Sequence, residues 1–335
     1  MKNLYKMMFY MSMMAGTMIT ASSYSWMGMW LGLEINLLSI IPLMSNVKNK
    51  MESETAMKYF ITQAMASTIV LFSVIIMMMN ESSLSTKMLK SMILDSAILT
   101  KMGAAPFHFW FPEVMEGLSW LNSIIMLTWQ KIAPMIMFSY SNKPMMFTTS
   151  VIIASMIVSG IMGINQTSMR KILAYSSINH IGWMISTMLT NQTLWMIYLT
   201  IYSLTTMNMA IMLKKLNIFF VKQMINSMGK NKTIKILFTM NFLSLGGMPP
   251  FIGFFTKWIT INFMIKEKMF LLTIIMILTT LMTLFFYMRM TLLSMSIKTP
   301  EMKTIKMKQN KTTIMTLNFM LISSLSICTL IFSML

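Results

Sequence analysis

The sequence predicts an all-α polytopic membrane protein of about eleven transmembrane helices, built as inverted five-helix repeats with two broken helices. Three observations carry that reading. Of 335 residues, 56% are hydrophobic and 11% charged, against roughly 45–50% and 25% in soluble domains. With 27 basic and 9 acidic side chains, the chain cannot cover the surface of the two soluble domains that its length would suggest. Finally, a span needs about 20 apolar residues, and the charges and turn residues leave eleven segments of that order.

The segments run 3–21, 25–45, 56–79, 89–111, 118–140, 146–165, 169–189, 193–213, 235–265, 269–292 and 312–335. Helices are the expected spans, because unclosed strands leave backbone groups unpaired in lipid. The first follows Lys2 and Lys6 and ends near Ala15, Gly16, Ala21 and Ser22, which resembles a secretory signal. A retained helix fits better, because everything after it is also membrane-embedded. The second segment holds Glu34, the fourth Lys101 and Pro106, the fifth Lys131 and Pro134, the seventh His180, and the ninth Pro249, Pro250 and Lys257. Between the last two spans, Lys298, Lys303, Lys306, Lys308 and Lys311 surround Pro300 as a solvated basic linker. The expected organisation is a first repeat over 1–140, a second over 146–292, the linker over 293–311 and a C-terminal helix over 312–335.

A formal charge of +18 in a soluble chain raises the question of nucleic acid. Here the basic residues orient the spans instead. With eleven spans, nineteen basic residues fall on the side of the amino end, and only Lys87, Lys90, Lys143, Lys266 and Lys268 on the other. The basic side should face the compartment from which the chain was inserted. One cysteine, Cys328, and two histidines leave no disulfide framework, tetrahedral zinc site or iron–sulfur cluster within the chain. Fifty methionines, spread without repeated spacing, read as flexible apolar filler and not as soft-metal ligands. Such a bias is a habit of animal mitochondrial genomes, whose variant code assigns Met an extra codon.

Glu34, Lys101, Lys131 and Lys257 lie well inside apolar segments. Each costs at least about 2.5–3.5 kcal/mol at mid-span, so each is a functional candidate. A structural ion pair or a snorkelling lysine is the plain alternative at any one position; four together are harder to dismiss. Asp95 stands about 120° round the helix from Lys101 and is expected near the surface. His108 and His180 read first as hydrogen-bonded structural imidazoles, although an imidazole in a polar file relays protons near neutral pH. Ser176 and His180, four apart, share a face.

The chain also repeats itself. Gly103-Ala104-Ala105-Pro106-Phe107-His108-Phe109-Trp110-Phe111 aligns on Gly247-Met248-Pro249-Pro250-Phe251-Ile252-Gly253-Phe254-Phe255, 144 residues and five spans later. An odd number of spans between equivalents reverses the membrane crossing, as in an inverted repeat. Pro106 is expected to free the carbonyl of Met102, Pro134 that of Gln130, and Pro249 and Pro250 those of Leu245 and Gly246. Freed carbonyls are tolerated at depth only where protein or water satisfies them.

The stretches Gly28 to Asn36, Lys101 to Trp110, Trp129 to Pro134 and Gly246 to Phe251 resemble the NADH-ubiquinone oxidoreductase chain 2 family, antiporter-like membrane subunits of mitochondrial respiratory complex I. The likeness covers essentially the whole chain, with the basic loops and carboxyl end matching least. It points to the animal form, which lacks three amino-terminal helices of bacterial relatives. The resemblance implies that Glu34, Lys101, Lys131 and Lys257, with His180 as a candidate intermediate, form a proton relay in a charged axis through the membrane arm. It also implies that this chain carries no cofactor, and that FMN, iron–sulfur clusters, NADH and ubiquinone are used in other subunits. Its partners would be membrane-arm subunits, phospholipids, protons and water, with no nucleic acid. It places the chain in the mitochondrial inner membrane, amino end in the matrix and carboxyl end in the intermembrane space. Two other readings stay open: an independent cation/proton antiporter or channel, and a structural membrane-arm subunit without its own proton path.

Overall fold

The computed structural model describes residues 2–46, 49–78, 84–228, 232–249 and 251–296. Among the described residues there are fourteen helices and no strand. They are α1 (Lys2–Ser22), α2 (Trp26–Met44), α3 (Lys50–Met78), α4 (Leu84–Met102), α5 (Trp110–Gly117), α6 (Trp120–Leu127), α7 (Trp129–Tyr140), α8 (Met145–Ile164), α9 (Met169–Thr190), α10 (Gln192–Leu216), α11 (Val221–Met228), α12 (Lys232–Gly246), α13 (Ile252–Lys266) and α14 (Phe270–Ser296). The chain divides into two compact units at Ser155/Met156, a point that falls within α8.

Five helices are by themselves long and apolar enough to cross a bilayer: α2, α3, α8, α10 and Phe270–Met295 of α14. The others differ for physical reasons. The stretch Leu84–Gly117 is interrupted between α4 and α5, and 232–266 between α12 and α13. α9 is buried at every residue from Ile172 to Met188, so it needs no apolar face toward lipid and can carry Ser176, Ser177, Asn179 and His180.

In the first unit α1 and α2 meet backbone to backbone. A Cβ on Gly16 would stand 2.9 Å from the Gly32 carbonyl oxygen, and one on Gly32 2.5 Å from Thr20 Cγ2. Small residues permit that approach where lipid supplies no hydrophobic drive between helices. Buried hydroxyls are satisfied within their own helices: Ser73 donates to the Val70 carbonyl at 2.6 Å and Ser123 to that of Trp120 at 2.8 Å. Such back-bonding makes a polar side chain tolerable in an apolar interior.

Several expectations are revised. Pro134 does not break its helix, since α7 runs through it from Trp129 to Tyr140. The interruption lies upstream at Thr128 (φ −115°, ψ −69°), between α6 and α7, two residues before Gln130, whose carbonyl the proline ring crowds. A short helix, α11, occupies what read as loop. Helix α14 reaches Ser296, so the linker cannot begin at 293. Asp95 is fully buried, not near the surface. Pro250, residues 297–311 of the linker, the 312–335 helix and Cys328 lie outside the described residues.

Candidate functional site

The two helix breaks have the same backbone. At the end of α4, Gly103 has φ +76° and its N–H donates to the Leu99 and Thr100 carbonyls at 3.0 and 3.2 Å, while Ala104 N–H reaches Leu99 at 3.1 Å. At the end of α12, Gly247 has φ +76°, donates to Leu243 and Ser244 at 3.1 Å each, and Met248 N–H reaches Leu243 at 3.1 Å. Every donor and acceptor is displaced by the 144 residues of the sequence repeat. Both are left-handed glycine caps, which free the chain from the helix while bonding its last carbonyls.

A buried ammonium belongs to each break. Lys101 lies in the last turn of α4 and is 7% exposed. Lys257, 6% exposed, is carried by α13 but reaches back to donate to the Gly246 carbonyl at 2.8 Å. That bond satisfies the carbonyl that Pro250 was expected to free. A helix C-terminus carries roughly half a negative charge, so interrupting a helix inside the membrane creates a place where a cation is stabilised. One break supplies its lysine from before the cap and the other from after it.

In the first unit, Trp110 Nε1 donates to the Thr100 carbonyl at 3.1 Å, tying α5 back across the break. Phe111 packs against Gly103 and lies 5.7 Å, ring centroid to ammonium, from Lys131. Lys131 is 2% exposed. Beside it a polar chain crosses three helices: Tyr59 donates to Gln130 Oε1 at 3.4 Å, and Gln130 Nε2 to Asn36 Oδ1 at 2.9 Å.

Glu34 is half-buried on α2, and its Oε1 is enclosed without a hydrogen-bond partner. Its carboxylate acts on Lys101 through space. Ion pairs within 4.0 Å include those of Lys58 with Glu54 and Glu113; Glu34 and Lys101 are neighbours, not a closed salt bridge. His108 is held by its own loop, with Nδ1 3.3 Å from the Pro106 carbonyl and its ring 4.4 Å from that of Phe109.

In the second unit, His180 Nδ1 lies 2.8 Å from the Tyr198 hydroxyl, and its ring is 4.8 Å from that of Tyr202. Thr256, next to Lys257, faces Tyr198, and Ser176 faces Tyr287. A small cavity is lined by Tyr198, Thr256 and Thr260 with Leu194, Ile197 and Ile259. Asn179 Nδ2 donates to Thr283 Oγ1 at 3.0 Å and Asn208 Nδ2 to Asn241 Oδ1 at 3.3 Å. Tyr198 and Tyr202 were not singled out from the sequence, although their spacing of four on α10 was a usable signal. Among the described residues no group of three or more His, Cys, Asp or Glu is placed to hold a metal ion.

A sequence profile of the family described as NADH:quinone oxidoreductase/Mrp antiporter, TM, matches residues 23–283. The chain is 49% identical over 295 residues to NADH-ubiquinone oxidoreductase chain 2 of Anopheles gambiae, covering 87% of this chain and 86% of that one. It is 44% identical to the protein of the same name from Aedes aegypti over 339 residues, 99% of each chain. In structure it resembles a chain of respiratory complex I from Thermus thermophilus, with TM-score 0.85 at 20% identity over 97% of this chain and 78% of that one. A chain of the Mrp complex from Dietzia sp. DQ12-45-1b is similar at TM-score 0.75 and 15% identity, over 88% and 62% of the two chains.

Proposed function

The chain belongs to the NADH:quinone oxidoreductase/Mrp antiporter transmembrane family, and from that premise we propose that it is a proton-translocating, antiporter-like subunit in the membrane arm of mitochondrial respiratory complex I. The observation that carries the reading is the recurrence of one device: an interrupted helix with a glycine cap and a buried lysine at its negative end. The curated relatives' shared name supplies the complex.

In the proposed relay, Glu34 and Lys101 form a pair whose separation is adjustable. When the carboxylate draws away, the ammonium loses the charge that favours it and becomes a better proton donor. Lys131 accepts, and Lys257 passes protons toward the far side, with the His180–Tyr198 pair as a candidate intermediate. One pKa unit is about 1.36 kcal/mol, so a modest rearrangement reverses the direction of transfer. This chain's residues hold and move protons; FMN, iron–sulfur clusters, NADH and ubiquinone belong to other subunits. The amino end and basic loops face the matrix.

The likeness to an Mrp chain favours a second reading, a cation/proton antiporter in its own right, which transport by the isolated chain in liposomes would reveal. For the relay, Lys131→Met and Lys131→Glu are both expected to abolish pumping in assembled complex, because the first removes the titratable group and the second reverses its charge. Normal pumping by Lys131→Met in intact complex would show that the relay is wrong.

A further inference from the structure

Helices α2 and α3 are tied at two points. Trp30 Nε1 on α2 donates to the Ser67 carbonyl on α3 at 3.2 Å. Six residues further along α2, Asn36 is joined through Gln130 to Tyr59, which lies eight residues back along α3. The ties run in opposite order along the two helices, so α2 and α3 are antiparallel and their register is fixed. Glu34 stands four residues beyond Trp30 and Gln63 four residues before Ser67, each about 6 Å along its axis from the first tie. The two therefore lie at one level, bracketed by both ties. Tyr59, Gln63 and Ser67, spaced by four and all buried, share one face of α3. Trp30 and Glu34, also four apart, share one face of α2.

At that level each helix carries a polar atom without a partner. Oε1 of Glu34 and Nε2 of Gln63 are both enclosed, and neither makes a hydrogen bond. One is an acceptor and the other a donor. Gln63 is 4% exposed, and buried polar groups are nearly always satisfied, so an exception asks for a role. An apolar side chain of the same length would fill this space without orphaning an amide, so packing alone does not account for a glutamine. Tyr59, one turn away on the same face, shows the ordinary outcome, with its hydroxyl bonded to Gln130.

We propose that Gln63 is a positioning residue, the hydrogen-bond donor that receives the Glu34 carboxylate when it draws away from Lys101. The inference rests on the relay reading, which needs an adjustable separation of Glu34 from Lys101 and names no second resting place for the carboxylate. Moving a carboxylate to a place without a donor or a charge is strongly opposed in an apolar interior. An amide N–H supplies a charge-assisted bond there. Being neutral, it does not hold the carboxylate as a cation would, and Gln63 itself exchanges no proton.

The test is protons moved per NADH oxidised by assembled complex in proteoliposomes, for Gln63→Met, Gln63→Asn, Glu34→Gln and the double variant Glu34→Gln with Gln63→Met. Gln63→Met keeps the shape without the donor; it should assemble and lose part of this ratio, and Gln63→Asn, a shorter amide, should keep more of it. In the double variant Gln63→Met should cost nothing beyond Glu34→Gln, because the residue acts through Glu34, whereas a role in packing would add its own loss. An unchanged ratio in assembled Gln63→Met, with a lowered one in Glu34→Gln, overturns the inference and leaves the relay standing, and so does a further loss in the double variant. An unchanged ratio in Glu34→Gln overturns the relay itself. Should Gln63→Met fail to assemble, Gln63→Glu decides, since it keeps the shape and sets an acid in place of the amide; an unchanged ratio there overturns the proposal.

Discussion

The Lys257 ammonium donates to the Gly246 carbonyl at 2.8 Å, and the Cβ that Gly247 lacks would stand 2.8 Å from the same nitrogen. The lysine therefore caps the end of α12 and occupies the space beside its left-handed glycine. One side chain holds the break together and presents a titratable group there.

Those two duties separate by substitution. Lys257→Gln keeps an N–H donor for the Gly246 carbonyl but cannot titrate, so the complex should assemble near wild-type levels and pump poorly. Lys257→Met also orphans the carbonyl, at a cost of about 1–3 kcal/mol, and should assemble less well. Native gels beside reconstituted pumping read both effects, and normal pumping by either variant removes Lys257 from the relay.

Gly247→Ala should be worse than its size suggests. A left-handed residue with a Cβ costs roughly 1–2 kcal/mol, and the new methyl would displace the lysine. Gly103→Ala meets the same backbone penalty but presses on Phe111, with Cβ contacts of 3.2 and 3.3 Å. We expect both to destabilise the complex, measured as residual activity after mild heating, with the larger loss of pumping per assembled complex in Gly247→Ala.

Because Glu34 and Lys101 are not locked in contact, removing either one breaks no closed ion pair. Glu34→Ala and Lys101→Ala should accordingly lower NADH-driven pumping more than the amount of assembled complex. Equal losses of assembly and pumping would favour a purely structural role for the pair.

The charge asymmetry makes a topological prediction. The Lys298 to Lys311 linker should resist protease added to the intermembrane side of intact mitoplasts and be cut from the matrix side. Cleavage from the intermembrane side alone would reverse the proposed orientation.

Membrane residence, helical class, the internal repeat and the buried lysines were legible in the sequence, because lipid forbids what water allows: a charge in an apolar run, or a proline that orphans a carbonyl, stands out without coordinates. The repeat aligned Gly103 with Gly247, but that both turn left-handed and cap α4 and α12 was not read from the sequence and came from the structure. Pro134 was misread because sequence marks where a ring sits, not which neighbouring turn yields; that depends on packing, and here Thr128 gave way. Asp95 was misplaced because helical angle alone does not say what lies opposite, and here the packed chain covers it fully. The Tyr198–His180 contact and the Tyr59–Gln130–Asn36 chain join residues 18, 71 and 94 positions apart. No local pattern specifies such pairings, since they arise only when separate helices pack and each buried polar group must find a partner. The sequence by itself thus determined which groups are out of place in a membrane. Only the tertiary structure decided which of them are satisfied, like Lys257 on Gly246, and which, like Glu34, keep an oxygen that no hydrogen bond holds.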